Sequence, residues 1–321
     1  MRGNYSLILK AVCDELKSHD NFIIITHKRP DGDTLGSAFA LKEILRLMGK
    51  SAEVVNEDKI GKKFFTLTEG RDTLSTETDG EYIIAIDVAD SELMGPTIKS
   101  KFGHRVDISI DHHATNKKYA KMNVVFPEFS ATAEIIFELS KELNIKINKR
   151  IAECIYTALI TDTGCFMYAN TNADSHRRAA ELIETGIDFI TINERFFMQK
   201  SLPAIELEKH IYNTMSLHFN DRVALASITR KDLEIAGASE SEIEGLSNML
   251  REIETVKVSV LIREIQDGVK VSMRSKGDVN VAAICEVFGG GGHKGAAGCS
   301  FKDKSIKEVK DIVLKEIEKR L

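Results

Sequence analysis

Apolar and polar positions follow two periods along the first two-thirds of the chain. Phe22-Ile23-Ile24-Ile25-Thr26 is an unbroken β-branched run, the pattern of a strand covered on both faces. Leu35, Phe39, Leu41, Ile44, Leu45 and Met48 then recur at helical spacing, and Gly49 marks a stop. Ala52 to Asn56, Tyr82 to Ile86 and Val106 to Ile110 are further short apolar runs. This strand–helix alternation predicts an α/β fold with a largely parallel sheet flanked by helices. From Ser130, with Glu134 nearby, an amphipathic stretch runs to Leu143. Helices are also expected over 148–160, 174–185 and Pro203 to Ser216, since Pro suits a first helical turn.

Farther on, Val223–Ile228, Val256–Ile265 and Val269–Met273 read as strands, the last two joined in a hairpin at Gln266-Asp267-Gly268. A helix capped by Asp278, a glycine cluster and a charged final helix complete the pattern. The expected organisation is an N-terminal domain over 1–190, a linker over 191–205 and a smaller C-terminal α/β domain with a mixed sheet over 206–321.

The length of 321 residues agrees with two domains of about 150 each. A formal charge of −5 and a pI near 6.0 argue against coating long nucleic acid through a basic face. They leave room for a local site that takes a small anion. No apolar run approaches the roughly 18 residues of a membrane span, and no signal-peptide pattern is expected at the start. Cys13, Cys154, Cys165, Cys285 and Cys299 lack CxxC spacing and read as reduced thiols of a cytoplasmic protein.

Position is what makes the acidic residues informative. His27-Lys-Arg-Pro-Asp31-Gly-Asp33 follows the first predicted strand, Asp87 the third, and Asp111-His112-His113 the fourth. Ligands of open α/β sheets bind outside the carboxyl ends of strands. Asp162, in Thr161-Asp162-Thr163-Gly164, ends an apolar helix and could join them. Singly, each has a plain structural reading: a Pro-Asp-Gly turn, a helix cap, a structural histidine. Together they fit a two-metal site. Carboxylate and imidazole ligands without thiolate suit manganese or a similar divalent ion. Two such ions clamp the attacking and leaving oxygens of an in-line phosphoryl displacement.

Near the end, Gly289-Gly290-Gly291-Gly292-His293 precedes Lys294-Gly-Ala-Ala-Gly298. Such a run serves close backbone approach or positive φ, and its N–H groups could form an anion nest. Arg274-Ser275 ends a predicted strand, where the guanidinium could hold phosphate through two hydrogen bonds.

With these residues assembled, HKRPDGD, Asp87, DHHATN and TDTG, together with VKVSMRS and GGGGHKGAAG, resemble the DHH phosphoesterase superfamily with its associated C-terminal domain. The resemblance spans nearly the whole chain and points to the bacterial nanoRNase/pAp-phosphatase subgroup, which also includes cyclic di-AMP phosphodiesterases. It implies that His27, Asp31 and Asp87 bind one metal, and that Asp33, Asp87, His112 and Asp162 bind the other. It implies that His113 contacts the scissile phosphate or protonates the leaving oxygen, and that Asp111 orients a histidine. Asn116, Arg274, Ser275, Gly291, Gly292 and His293 would contact substrate, with the second domain closing to measure its length.

The function implied is manganese-dependent hydrolysis of short oligoribonucleotides and linear pApA to mononucleotides, with 3′-phosphoadenosine 5′-phosphate as a further substrate. Magnesium and cobalt are the alternative metals. The partners implied are a short single-stranded RNA or dinucleotide, with no long duplex, no membrane and a homodimer as the family assembly. The alternatives are a cyclic di-AMP phosphodiesterase, a single-strand exonuclease and a non-catalytic nucleotide sensor. A sensor predicts missing ligands, and every motif position is present here.

Overall fold

Phe22–Ile25 (β1) is buried at every position. The computed structural model describes residues 2–243 and 246–321, with the side chains of 2–4, 240, 241 and 293 outside that description. β1 lies inside a five-stranded sheet with Ala52–Val55 (β2), Tyr82–Ile86 (β3), Ile108–Asp111 (β4) and Met122–Val125 (β5). The order is β2-β1-β3-β4-β5 and all four pairings are parallel. Helices of this unit are Arg2–Ser18 (α1), Gly32–Leu47 (α2), Pro96–Phe102 (α3), Thr132–Glu142 (α4), Lys149–Asp162 (α5), Ala173–Glu184 (α6) and Phe189–Asn193 (α7). Alternate strand residues face opposite ways. Phe22, Ile24, Ile84, Ile108 and Ile110 enter a core with Leu41 of α2, Ile136 of α4 and Ile155 of α5. Ile23, Ile25 and Ile83 meet Ile98 and Phe102 of α3 on the other face.

The parallel α/β sheet is as expected, with differences in detail. α1, α3, α7 and β5 are additional elements. α1 buries Leu9, Val12, Cys13 and Leu16 at helical spacing, whereas β5 is a half-buried edge with too short an apolar run to stand out. β4 also ends one residue later than expected, so Asp111 pairs with Val125 inside the sheet.

The chain divides into two compact units, Met1–Gln199 and Lys200–Leu321. Residues 191–205 are largely helical: α7 continues into a π-turn over Glu194–Met198, and Leu202–Thr214 is α8. Phe189, Ile192 and Phe196 pack on the first unit's core, which holds that stretch in helical form.

The second unit carries a mixed six-stranded sheet in the order β10-β11-β9-β8-β7-β6. These are Ser216–His218 (β6), Val223–Ile228 (β7), Val258–Ile265 (β8), Gly268–Ser275 (β9), Gly291–His293 (β10) and Ala296–Lys302 (β11). β7 and β8 run parallel and the other pairs antiparallel. Arg230–Ala236 (α9), Leu246–Met249 (α10), Val281–Glu286 (α11) and Ile306–Glu318 (α12) accompany it. Asp278 is not the cap of α11. Asn280 accepts from the N–H groups of Ala282 and Ala283 at 3.1 and 3.2 Å, and Asp278 instead faces Lys294 at 3.6 Å. All five cysteines are free thiols. Among the described residues no helix is long and apolar enough to cross a membrane.

α2 and α5 approach closely because glycines line the contact. A Cβ on Gly36 would stand 2.4 Å from the Cys154 carbonyl oxygen and 2.8 Å from the Ala158 Cβ. Both obstacles are rigid, so the helices would have to separate. Gly36→Ala should therefore destabilise the fold by about 1–3 kcal/mol despite the better helix propensity of alanine. Denaturant unfolding measures this, and an unchanged midpoint would show slack between the two helices.

Candidate metal centre

Parallel pairing places every strand's carboxyl end on one edge. The strand order reverses between β1 and β3, which opens a crevice there. The β1–α2 turn enters it with His27 and Asp31. Asp31 also caps α2, its Oδ1 accepting from the N–H groups of Asp33 and Thr34 at 3.0 and 3.1 Å. Asp87, directly after β3, has φ 60°, a left-handed conformation that Asp tolerates better than most residues. Its N–H donates to the Ile110 carbonyl at 2.9 Å, which holds the bend.

Two histidines share one arrangement. His27 Nδ1 lies 2.9 Å from the Lys28 carbonyl, and His112 Nδ1 lies 3.2 Å from the Phe129 carbonyl. A neutral ring so placed donates from Nδ1 and turns its Nε2 lone pair inward, the usual support of a metal-binding histidine. His27 Nε2 stands 3.7 Å from Asp31 Oδ1 and 3.8 Å from Asp87 Oδ2. His112 Nε2 stands 3.8 Å from Asp33 Oδ2, 3.8 Å from Asp87 Oδ1 and 3.5 Å from Asp162 Oδ2. These gaps are too long for good hydrogen bonds. They suit ligands that share a cation about 2.0–2.2 Å from each. The two oxygens of Asp87 thus face opposite histidines. Three groups of side chains could each hold an ion: His27 with Asp31 and Asp87; Asp33 with His112 and Asp162; and Asp87 with His112 and His113.

The buried carboxylates are fastened by donors from distant elements. Asp33 Oδ1 accepts from Ser37 Oγ at 2.9 Å and the Ala133 N–H at 3.0 Å; Oδ2 accepts from the Thr132 N–H at 2.7 Å. The Thr132 hydroxyl donates to Asp87 Oδ1 at 2.8 Å. Asn170 Nδ2 lies 3.3 Å from Asp162 Oδ2. His113 Nδ1 is 2.7 Å from Asp111 Oδ1 and 3.5 Å from Asp87 Oδ1, so Asp111 fixes this ring. Asn116 donates from Nδ2 to Asp111 Oδ2 at 2.7 Å, and its Oδ1 accepts from the Lys118 N–H. Asn116 is buried and engaged at both ends, and it braces Asp111.

Without cations this edge is electrostatically frustrated. Burial and the charge of Asp87 push the Asp33 and Asp162 carboxyls well above their usual range. Burial would lower His27, but the nearby carboxylates of Asp31 and Asp87 outweigh this and raise it to about 9. His113 is raised to about 10 in the same way, by Asp111 and Asp87 against burial. Converging acids that ionise reluctantly, beside bases that hold their protons, fit divalent cations as the missing counter-charge.

The second unit presents a different picture from the expected glycine nest. Gly291 and Gly292 lie in β10, paired with Gly298 and Ala297 of β11. A Cβ on Gly292 would stand 2.5 Å from the Ala296 carbonyl oxygen, so glycine permits close strand approach there. Ser275 is buried, its hydroxyl donating to the Val279 carbonyl at 2.7 Å and lying 3.2 Å from that of Lys294. It ties the end of β9 to the segment that leads into α11 and to the turn after β10. Arg274 is half-buried beside it on β9, with Nη1 2.9 Å from the Met273 carbonyl. The side chain of His293 lies outside the described residues.

Comparison with known proteins agrees with this geometry. Residues 21–159 match the family model for the DHH family, N-terminal domain, and residues 221–321 match the DHHA1 domain. The bifunctional oligoribonuclease and PAP phosphatase NrnA of Thermus thermophilus is 32% identical over 98% of this chain and 94% of its own. The chain belongs to the DHH family. The protein of the same name from Bacillus subtilis is 31% identical over 88% of this chain and 90% of its own. The crystal structure of an exopolyphosphatase-related protein from Bacteroides fragilis superimposes with a TM-score of 0.90 at 25% identity, covering 98% of this chain and 96% of that one.

Within this DHH-family edge, the supports Ser37, Thr132, Ala133 and Asn170 were not legible as site residues. The expected start at Ser130, itself a capping residue type, hid the need for an outside partner; α4 begins at Thr132 after Ala131, which has no side-chain acceptor. The raised histidines set a pH dependence. Their stabilising effect in the metal-free chain is complete below the ordinary histidine pKa of about 6.5 and fades as pH rises through 9 to 10. Asp33 and Asp162 act in the same sense, since a raised acid weakens the fold as it ionises. A divalent ion takes deprotonated ligands. The rise in Tm on adding manganese should therefore be larger at about pH 8.5 than at about pH 6.5. Thermal unfolding at both pH values tests this, and equal shifts would refute the coupling.

Proposed function

We propose that the chain is a two-metal phosphoesterase, manganese-dependent and cytoplasmic, that hydrolyses short oligoribonucleotides and 3′-phosphoadenosine 5′-phosphate. The observation that carries this reading is the pair of backbone-oriented histidines, His27 and His112, on opposite sides of one buried carboxylate, Asp87. The names of the Thermus and Bacillus relatives supply the substrate class.

His27, Asp31 and Asp87 would hold one ion, and Asp33, Asp87, His112 and Asp162 the other. When bound, such ions supply charge stabilisation for phosphoryl oxygens and lower the pKa of water. The chain's own part is to aim the ligands, position the phosphate and handle a proton. Asp111 holds His113 at Nδ1 and favours its protonated form. A fixed, charged imidazolium suits donation to a phosphate oxygen or to the departing alkoxide. In the second unit, Arg274 would grip a terminal phosphate.

Asp87→Ala removes the ligand both ions would share, and pApA turnover should fall below detection in a manganese-supplemented chromatographic assay. Near-normal turnover would exclude the two-metal assignment. In a panel of pApA, longer oligoribonucleotides, pAp and cyclic di-AMP, the linear substrates should be consumed first. Faster loss of cyclic di-AMP would overturn the substrate assignment. Arg274→Ala should raise KM about 10- to 100-fold for substrates with a terminal phosphate, the loss of one charged hydrogen bond. A generic diester should be little affected. Equal effects on both would remove Arg274 as the phosphate anchor.

A further inference from the structure

α4 begins without a cap of its own. Ala131 offers no side-chain acceptor, and the first-turn N–H groups of Thr132 and Ala133 go to Asp33, at 2.7 and 3.0 Å. A residue in the first turn of α2 thus caps a helix 99 positions later in the chain. Thr132 adds a second contact, its hydroxyl donating to Asp87 Oδ1 at 2.8 Å. One residue therefore touches two carboxylates, one through its backbone and one through its side chain. Thr132 is fully buried and Asp87 is 3% exposed, so bulk water does not replace that hydroxyl.

The segment ahead of α4 is itself held fast. The Ser130 N–H donates to Glu134 Oε2 at 2.8 Å, and Glu134 Oε1 lies 3.3 Å from Arg178 Nη1 in a buried ion pair. Asn170 Nδ2 donates to the Ser130 carbonyl at 2.9 Å while also reaching Asp162. Residues 130–133 thereby connect to Asp33, Asp87 and Asp162, which come from three separate elements. A threonine side chain has few rotamers, so its hydroxyl has a defined direction once α4 is placed.

We propose that Thr132 is a positioning residue of the metal centre. It fixes the rotation of the Asp87 carboxylate, with Oδ1 on the His112 side and Oδ2 on the His27 side, so that one carboxylate serves two ions. Without the hydroxyl, Asp87 can turn about its last bond and the shared geometry is lost. This rests on the phosphoesterase reading for its effect on turnover, but its effect on metal binding stands apart from that reading.

The test compares Thr132→Val, which keeps the shape and removes the donor, with Thr132→Ser, which keeps the donor and removes the methyl. Manganese binding to the full-length chain is read by isothermal titration, and kcat and KM for pApA by product chromatography. Thr132→Val should weaken manganese binding and lower kcat, each by about 10- to 100-fold, the usual cost of losing a group that orients a ligand. KM for pApA should stay near the wild-type value, and Thr132→Ser should recover most of both losses. Wild-type binding and kcat in Thr132→Val would overturn the proposal. So would equal losses in both variants, because packing of the methyl group would then explain them. If the wild-type chain binds manganese but leaves pApA intact, the phosphoesterase reading fails, and the titrations alone decide the role of Thr132.

Discussion

Mutual repulsion among buried carboxylates is the constraint on which the first unit is built. Asp33 and Asp87 are almost fully enclosed, and Asp162 lies close by at the end of α5. Removing such groups from water is costly, and gathering like charges adds to the cost. The chain offsets part of it locally. Three donors serve Asp33, the Thr132 hydroxyl serves Asp87, and protonated His27 and His113 stand nearby. The remainder is what divalent ions would neutralise. Metal affinity and fold stability are consequently one quantity seen from two sides.

The surrounding architecture makes that concentration of charge possible. A parallel sheet delivers loops from β1, β3 and β4 to one edge. α2 carries Asp33 and α5 carries Asp162, and the bare faces of Gly32 and Gly36 let the two helices meet closely. Asp87 leaves its strand in a left-handed turn and so projects into the crevice instead of continuing β3. Each feature is unfavourable or unusual alone: glycine inside a helix, positive φ at a non-glycine residue, a helix capped by a residue from elsewhere. Their coincidence at one edge marks the site more clearly than any single motif does.

Much of this was legible in the sequence, for an identifiable reason. The strands β1, β3 and β4 are short buried runs flanked by polar ends, so the acidic motifs could be assigned to strand termini before any coordinates were known. What escaped depends on long-range contact. No local pattern ties Thr132 to Asp33, and no spacing rule reveals that Asn116 turns inward to Asp111. The pairing of the glycine cluster was hidden for a related reason. Glycine signals permissive backbone without saying whether the permission serves an anion or a neighbouring strand, and here β11 is that neighbour. Asp278 was expected to cap α11, and the position of the first helical turn gives that role to Asn280.

The net charge of −5 also takes on a different meaning once the edge is resolved into layers. Carboxylates point inward to where cations would sit. The loops that follow the strands carry exposed cations as well: Arg29 after β1, Lys59 and Lys62 after β2, and Lys117 and Lys118 after β4. Fields from exposed charges fall off within about 10 Å at moderate ionic strength, so each acts only locally. On the proposed reading, the net charge would disfavour extended nucleic acid, while cations held by the buried acids would suit a compact phosphorylated fragment.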